Sequence, residues 1–128
     1  MKKTGILFHW IPRALCILAI LFVSIFALDA FDPALSIKQQ VLGFLIHMIP
    51  SFVLLLFLII AWNRELTGGI IFTALGLVLS PFVFKHNYNM NHSIGLSLGI
   101  ILMITIPFVV VGILFLISYS LKKKKSII

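Results

Sequence analysis

The residues best suited to bind a metal ion lie in the polar segment KHNYNMNH, at positions 85–92. It contributes two imidazoles, His86 and His92, and neutral imidazole is the commonest transition-metal ligand in proteins. A useful site needs at least three protein ligands, so Asp29 or His47 would have to complete it. Because no zinc-type spacing fixes such a geometry, we favour a solvated loop over a metal site here.

His47 is a second candidate, since ionisable side chains are costly within an apolar segment and often have a function there. Three residues later, Pro50 removes the usual hydrogen bond of the Ile46 carbonyl, and Pro81 has the same effect in a later segment. These groups predict either a small polar vestibule that includes Asp29 or a structural histidine. We favour the second, with His47 hydrogen-bonded to a neighbouring helix or to Asp29.

Glu65 follows Arg64 in a short turn, where a carboxylate offsets positive charge and stabilises the N-terminus of the next helix. The chain contains no G-x-S-x-G, H-E-x-x-H, P-loop or paired carboxylate. We therefore expect neither an enzyme nor a bound cofactor. Near the C-terminus, four consecutive lysines should attract anionic lipid at about 1 kcal/mol per residue; they are Lys122, Lys123, Lys124 and Lys125.

Composition determines which elements can position these residues. Only 10% of the 128 residues are charged and 62% are hydrophobic, whereas about a quarter of a soluble domain is charged. The net charge of +7 comes from basic residues at the ends of apolar runs, without the basic stripe of a nucleic-acid-binding protein. The single cysteine, Cys16, excludes an intramolecular disulfide and is expected to be a packing residue.

Four apolar segments, at 14–31, 42–62, 68–84 and 94–121, are close to the roughly 20 residues that a helix needs to cross a membrane. Asp32 resembles an N-cap before Pro33, so the second helix is predicted to begin at Pro33 or at residue 42. Pro107 predicts a bend in the long fourth segment. The expected fold is an all-α integral membrane four-helix bundle, a single domain over residues 1–128 with a basic tail at 122–128.

The basic residues also predict how the chain is threaded. Eight of the ten lie on one side of the predicted spans and two, Lys38 and Lys85, lie on the other; the eight are Lys2, Lys3, Arg13, Arg64 and the lysines at 122–125. Loops rich in lysine and arginine stay in the cytoplasm. Both termini are therefore predicted to be cytoplasmic, with the first span retained rather than cleaved as a signal peptide.

Small residues predict which helix faces touch. In the third span, Gly69, Thr73, Gly76 and Ser80 are spaced 4, 3 and 4 and form one stripe that should face another helix. The GxxxG pair of Gly95 and Gly99 suits either internal packing or a homodimer, and we favour internal packing.

Several short motifs resemble an uncharacterised family of small four-helix bacterial membrane proteins. They are FALDAF at 26–31, HMIP at 47–50, AWNRELTGG at 61–69 and a late proline before GILF at 112–115. The resemblance covers about residues 13–118, with Arg64 where the family commonly has a second tryptophan. It implies a bacterial inner-membrane location and no known activity, and it singles out Asp29, His47 and Glu65.

Two functions are compatible with these features. We favour a non-enzymatic structural or accessory membrane component that binds a partner protein, lipid or its own copies, because no polar path across the predicted bundle is evident. The alternative is a small transporter or cation-handling protein that uses Asp29, His47 and the polar segment in the outer half.

Overall fold

The structure is a computed structural model that describes residues 3–127, with side chains described from 3 to 124. The helices are α1 (Lys3–Ile25), a 3₁₀ helix (Phe26–Ala30), α2 (Ile37–Asn63), α3 (Glu65–Asn91), α4 (Ile94–Ile104) and α5 (Ile106–Ile127), without a strand in this range. The 3₁₀ helix continues α1, and α5 continues α4. The result is four helical segments, each long and apolar enough to cross a membrane.

Helix α2 begins at Ile37, so the predicted start at Pro33 or residue 42 is wrong. Ser36 forms a capping box: its Oγ accepts from the Gln39 amide at 3.2 Å, and the Gln39 side chain accepts from the Ser36 amide at 3.1 Å. Asp32 instead accepts a hydrogen bond from the Ala34 amide at 2.9 Å, which closes a turn before the helix.

Helix α3 continues through most of the segment 85–92, so the predicted loop is also wrong. The helix ends at His92, which has the left-handed backbone conformation (φ 53°) common just after a helix. Asn87 donates to the Val83 carbonyl within the helix. The other helices likewise extend past the predicted spans: α1 begins at Lys3, and α5 runs through the predicted tail to Ile127.

The predicted bend near Pro107 is confirmed as a break between α4 and α5 at Thr105. Pro107 has no amide hydrogen to donate to the carbonyl of Met103. The Thr105 hydroxyl donates to the Ile101 carbonyl at 3.0 Å, which supports the last turn of α4.

The predicted stripe on α3 does face another helix, and that helix is α5. A Cβ on Gly69 would lie 2.9 Å from the carbonyl oxygen of Gly112, and one on Gly76 would lie 2.9 Å from that of Thr105. The hydroxyls of Ser80 and Thr105 lie 2.7 Å apart. Small residues thus allow the two backbones to approach closely.

Gly95 and Gly99 do not serve internal packing, so that prediction is wrong. A Cβ on Gly99 would meet nothing within 4 Å, and one on Gly95 would meet only the Ser93 hydroxyl at 3.9 Å. This face of α4 is therefore open.

The hydrophobic core lies in one half of the bundle. Phe72 stacks between Phe108 and Phe115, with ring centroids 6.0 and 6.3 Å apart. The other core residues are Cys16, Ile20, Leu54, Leu58, Ala61 and Val111. We call the nearer end of the bundle, formed by residues 9–13, 62–65 and 118–124, the charged end. The opposite end, formed by residues 26–36 and 86–93, is the far end.

The half of the bundle next to the far end has almost no core. Within the described residues, α2 has no buried residue before Ser51, and α3 has none after Gly76. Ala27 and Ser97 are the buried residues nearest the far end. The helices are therefore packed together in the charged half and open in the far half.

Candidate functional site

Glu65 is the centre of a buried ionic cluster at the charged end. Its carboxylate oxygen Oε1 lies 3.0 Å from Arg13 Nη2 and 2.9 Å from Lys122 Nζ, and it accepts a hydrogen bond of 3.0 Å from the Ser118 hydroxyl. Only 7% of Glu65 is exposed. Because these partners come from three helices, one carboxylate joins α1, α3 and α5.

Arg13 is more deeply buried than any other charged residue that the structure describes, with 1% exposed. Its guanidinium also donates to the Trp62 carbonyl at 3.0 Å and to the His9 carbonyl one turn back. The same group lies 5.2 Å from the Trp62 ring centroid and 5.4 Å from that of Phe115. These cation–π contacts help to compensate for the lost hydration of the charge.

His9 completes the cluster on the side of α1. Lys122 Nζ donates to His9 Nδ1 at 2.8 Å, and the same nitrogen lies 3.5 Å from Glu65 Oε1. The local sequence explains these positions. Glu65 begins α3, where the helix dipole favours a carboxylate, and Lys122 lies in the last turns of α5, where it favours a cation. We call His9, Arg13, Glu65, Ser118 and Lys122 the Glu65 cluster.

The cluster is built to hold helices together. Its carboxylate accepts from two cations and a hydroxyl, so its contacts are made within the protein. Removal of one partner from a buried ion pair leaves an uncompensated charge and typically costs about 3–5 kcal/mol. The geometry therefore points to a structural tie between three helices.

An open groove of about 630 Å³ borders the cluster at the charged end. Cationic and aromatic side chains line it together; they include Trp62, Arg64, Leu66, Tyr119, Lys122 and Lys123. Glu65 forms part of its wall. The groove thus combines positive charge with apolar surface where α2, α3 and α5 meet.

The predicted vestibule residues lie apart from this cluster. Asp29 is exposed in the 3₁₀ helix, and His47 and Pro50 are exposed on α2. The His47 ring nitrogen Nδ1 lies 2.7 Å from the Gly43 carbonyl of its own helix. The hydrogen bond predicted to a neighbouring helix or to Asp29 is therefore wrong: one turn of α2 supplies the partner.

The serines next to the helix prolines also form separate contacts. Ser51 shares a hydrogen bond of 2.8 Å with Ser24 of α1, while Ser80 pairs with Thr105. They thus link neighbouring helices in pairs instead of lining one shared polar space.

The candidate metal ligands His86 and His92 are both exposed near the end of α3. The His92 ring packs edge-on against Tyr88, with centroids 6.1 Å apart. Across residues 3–127, no three histidine, cysteine, aspartate or glutamate side chains are grouped closely enough to hold a metal ion.

Sequence reasoning singled out Glu65 but missed its partners. A usable signal exists: His9 and Arg13 are four residues apart, and so are Ser118 and Lys122. Residues at that spacing share one helix face. Each pair therefore marks a polar face on an otherwise apolar helix, at the same end as the carboxylate.

Comparison with known proteins gives one match. A family model described as a domain of unknown function (DUF7670) covers residues 1–127 of the chain. The searches of curated proteins and of solved structures return no match.

Proposed function

The chain belongs to the DUF7670 family, and we propose that it is a four-span integral membrane protein that acts by binding rather than by catalysis. Four helices long and apolar enough to cross a membrane support the placement. Eight basic residues on the side of the charged end, against two on the other, support a cytoplasmic location for that end and both termini. Lys2 among them lies outside the described residues, as does the side chain of Lys125. The proposed compartment is the bacterial inner membrane.

The observation that supports binding is the open far half. Apolar side chains of α2 and α3 are exposed there, for example Ile46 at 62% and Phe82 at 68%. Lipid tails are as apolar as these residues, so helix association in a bilayer depends on close packing at small residues. Gly95 and Gly99 offer such a surface on α4 without an internal partner. We infer that a second copy of this chain packs here, with a helix of another membrane protein as the competing occupant.

Transport is the second candidate, because the open far half exposes Asp29 and His47. A transport path would have to continue past the stacked rings of Phe72, Phe108 and Phe115 to the charged end. These rings offer no polar group to a solute or ion, which weighs against transport by a single copy.

The experiment is to extract the protein directly into polymer-bounded discs from its membrane and to determine the mass of the particle. Gly99→Leu is compared with Ala14→Leu, which adds the same volume on an exposed face of α1. We expect a dimer that Gly99→Leu dissociates and Ala14→Leu does not. A monomer without protein partners, together with solute flux in liposomes, would overturn the proposal in favour of transport.

A further inference from the structure

The groove at the charged end carries more positive charge than the Glu65 cluster balances. Arg64, Lys122 and Lys123 line it against one carboxylate, Glu65, whose charge is already shared by Arg13 and Lys122. Arg64 is exposed, and no hydrogen bond or ion pair to another described residue occupies its guanidinium. The groove therefore presents a forked donor, suited to two oxygens of one anion, beside further positive charge.

The wall of the groove adds polar groups of the same kind. Arg64 is the residue before α3, and no side chain caps the amides at the start of that helix. Thr67 and Tyr119 also line the groove and bring a hydroxyl each. These donors supplement the cationic side chains, which remain the main source of attraction for an anion.

An apolar row leads away from the groove along α3. It begins at Leu66 in the groove wall and continues through Ile70, Ala74 and Leu77, spaced 4, 4 and 3 on one helix face. All four are exposed; Leu66 is 41%, Ile70 55% and Leu77 58% exposed. Trp62 lies at the mouth of the groove, where tryptophan commonly marks the headgroup level of a membrane. A ligand that suits both parts has an anionic head and an apolar chain.

We propose that this groove binds the phosphate-bearing headgroup of an anionic membrane lipid, with one acyl chain along the row from Leu66 to Leu77. Charge complementarity selects the headgroup, and the row distinguishes a lipid from a free phosphate ion. The site gives the basic end a defined pocket around Arg64, beyond the diffuse attraction of a lysine-rich tail. This inference rests on the proposed membrane placement.

The test is native mass spectrometry of the full chain reconstituted with equal amounts of phosphatidylglycerol and phosphatidylcholine that have the same acyl chains. Arg64→Gln is compared with Lys38→Gln, which removes one exposed cation at the far end. We expect selective retention of phosphatidylglycerol that falls about fivefold in Arg64→Gln, the effect of one basic residue at a membrane surface. Lys38→Gln should leave it unchanged. Equal retention of phosphatidylglycerol by the wild type and both variants would overturn the site.

Two further arms give the other outcomes a meaning. Displacement of the lipid by millimolar inorganic phosphate would contradict the lipid assignment, because the head alone would then suffice. A photoactivatable phosphatidylglycerol on the wild type should label the segment 66–77, and labelling elsewhere would overturn the site even if Arg64→Gln fails to fold. Resistance of the protein to alkaline extraction from membranes tests the placement separately, so loss of lipid selectivity in an integrated protein contradicts only this inference.

Discussion

The two halves of the bundle differ in how polar and small residues are used. In the charged half, Arg13, Glu65 and Lys122 bind one another across three helices, and Gly69 and Gly76 are covered by α5. In the far half, Asp29 and His47 are exposed and Gly99 has no neighbour. The same residue types thus hold the fold together at one end and are left open at the other.

The difference teaches that stability and recognition are separated along the helix axes. A three-helix tie and a core of stacked phenylalanines fix the charged half, so the far half is free to leave its helix faces unpaired. An apolar face that no internal helix covers is available to an external helix. The predictions below alter one half at a time.

The largest effect is expected from loss of the central carboxylate. Glu65→Gln leaves Arg13, 1% exposed, without its counter-charge and should lower the free energy of unfolding by about 3–5 kcal/mol. Asp29→Asn makes the same chemical change at an exposed position and should alter it by less than about 0.5 kcal/mol. Equilibrium unfolding in mixed micelles measures both. Equal losses would contradict the division between the halves.

Two glycine substitutions should have opposite signs. Gly76→Ala places a Cβ 2.9 Å from the Thr105 carbonyl and should destabilise the fold by about 1–3 kcal/mol. Gly99→Ala meets nothing within 4 Å and should stabilise α4 by about 0.5–1 kcal/mol, since alanine restricts the unfolded chain. The same unfolding measurement applies. Destabilisation of similar size by both variants would show that the α4 face is covered.

A smaller effect is expected at the boundary between the halves, where Ser24 and Ser51 share a hydrogen bond. Ser51→Ala should cost about 0.6 kcal/mol, the average for interhelical hydrogen bonds in membranes. Ser120→Ala, on an exposed face of α5, serves as the matched control and should change nothing measurable. A cost well above 1 kcal/mol would extend the tightly held region past this boundary.

The smallest effect is expected at His47. His47→Phe removes only a hydrogen bond to the Gly43 carbonyl of the same helix and should change the free energy of unfolding by less than about 0.5 kcal/mol. Solute flux in liposomes is measured on the same sample. A flux in the wild type that His47→Phe abolishes would favour the transport alternative over binding.

Local sequence signals predicted much of the charged half and little of its ionic centre. Hydropathy indicated four spans, and the spacing of Gly69 and Gly76 predicted a contact face that does pack against α5. The Glu65 cluster joins residues 52 and 57 positions apart in sequence, and a single chain offers no pairing rule over such distances. Only the shared end of the bundle and the i, i+4 polar pairs pointed toward it.

The helix ends were missed for a different reason. Hydropathy marks where a chain is apolar, whereas a helix ends where its backbone hydrogen bonds end. The polar residues at 85–91 continue α3, and only the left-handed backbone of His92 stops it. The open GxxxG face also escaped prediction, because the sequence shows a small-residue surface but not whether an internal helix reaches it.

The most direct test of the central claim is a double-mutant cycle on Arg13→Met and Glu65→Leu, with unfolding followed in one lipid mixture. If the buried ion pair holds the charged half together, each single variant loses several kcal/mol, and the double variant recovers a coupling energy of about 1–3 kcal/mol. Additivity of the two single effects within about 0.5 kcal/mol would show that the residues act independently, and would contradict the account.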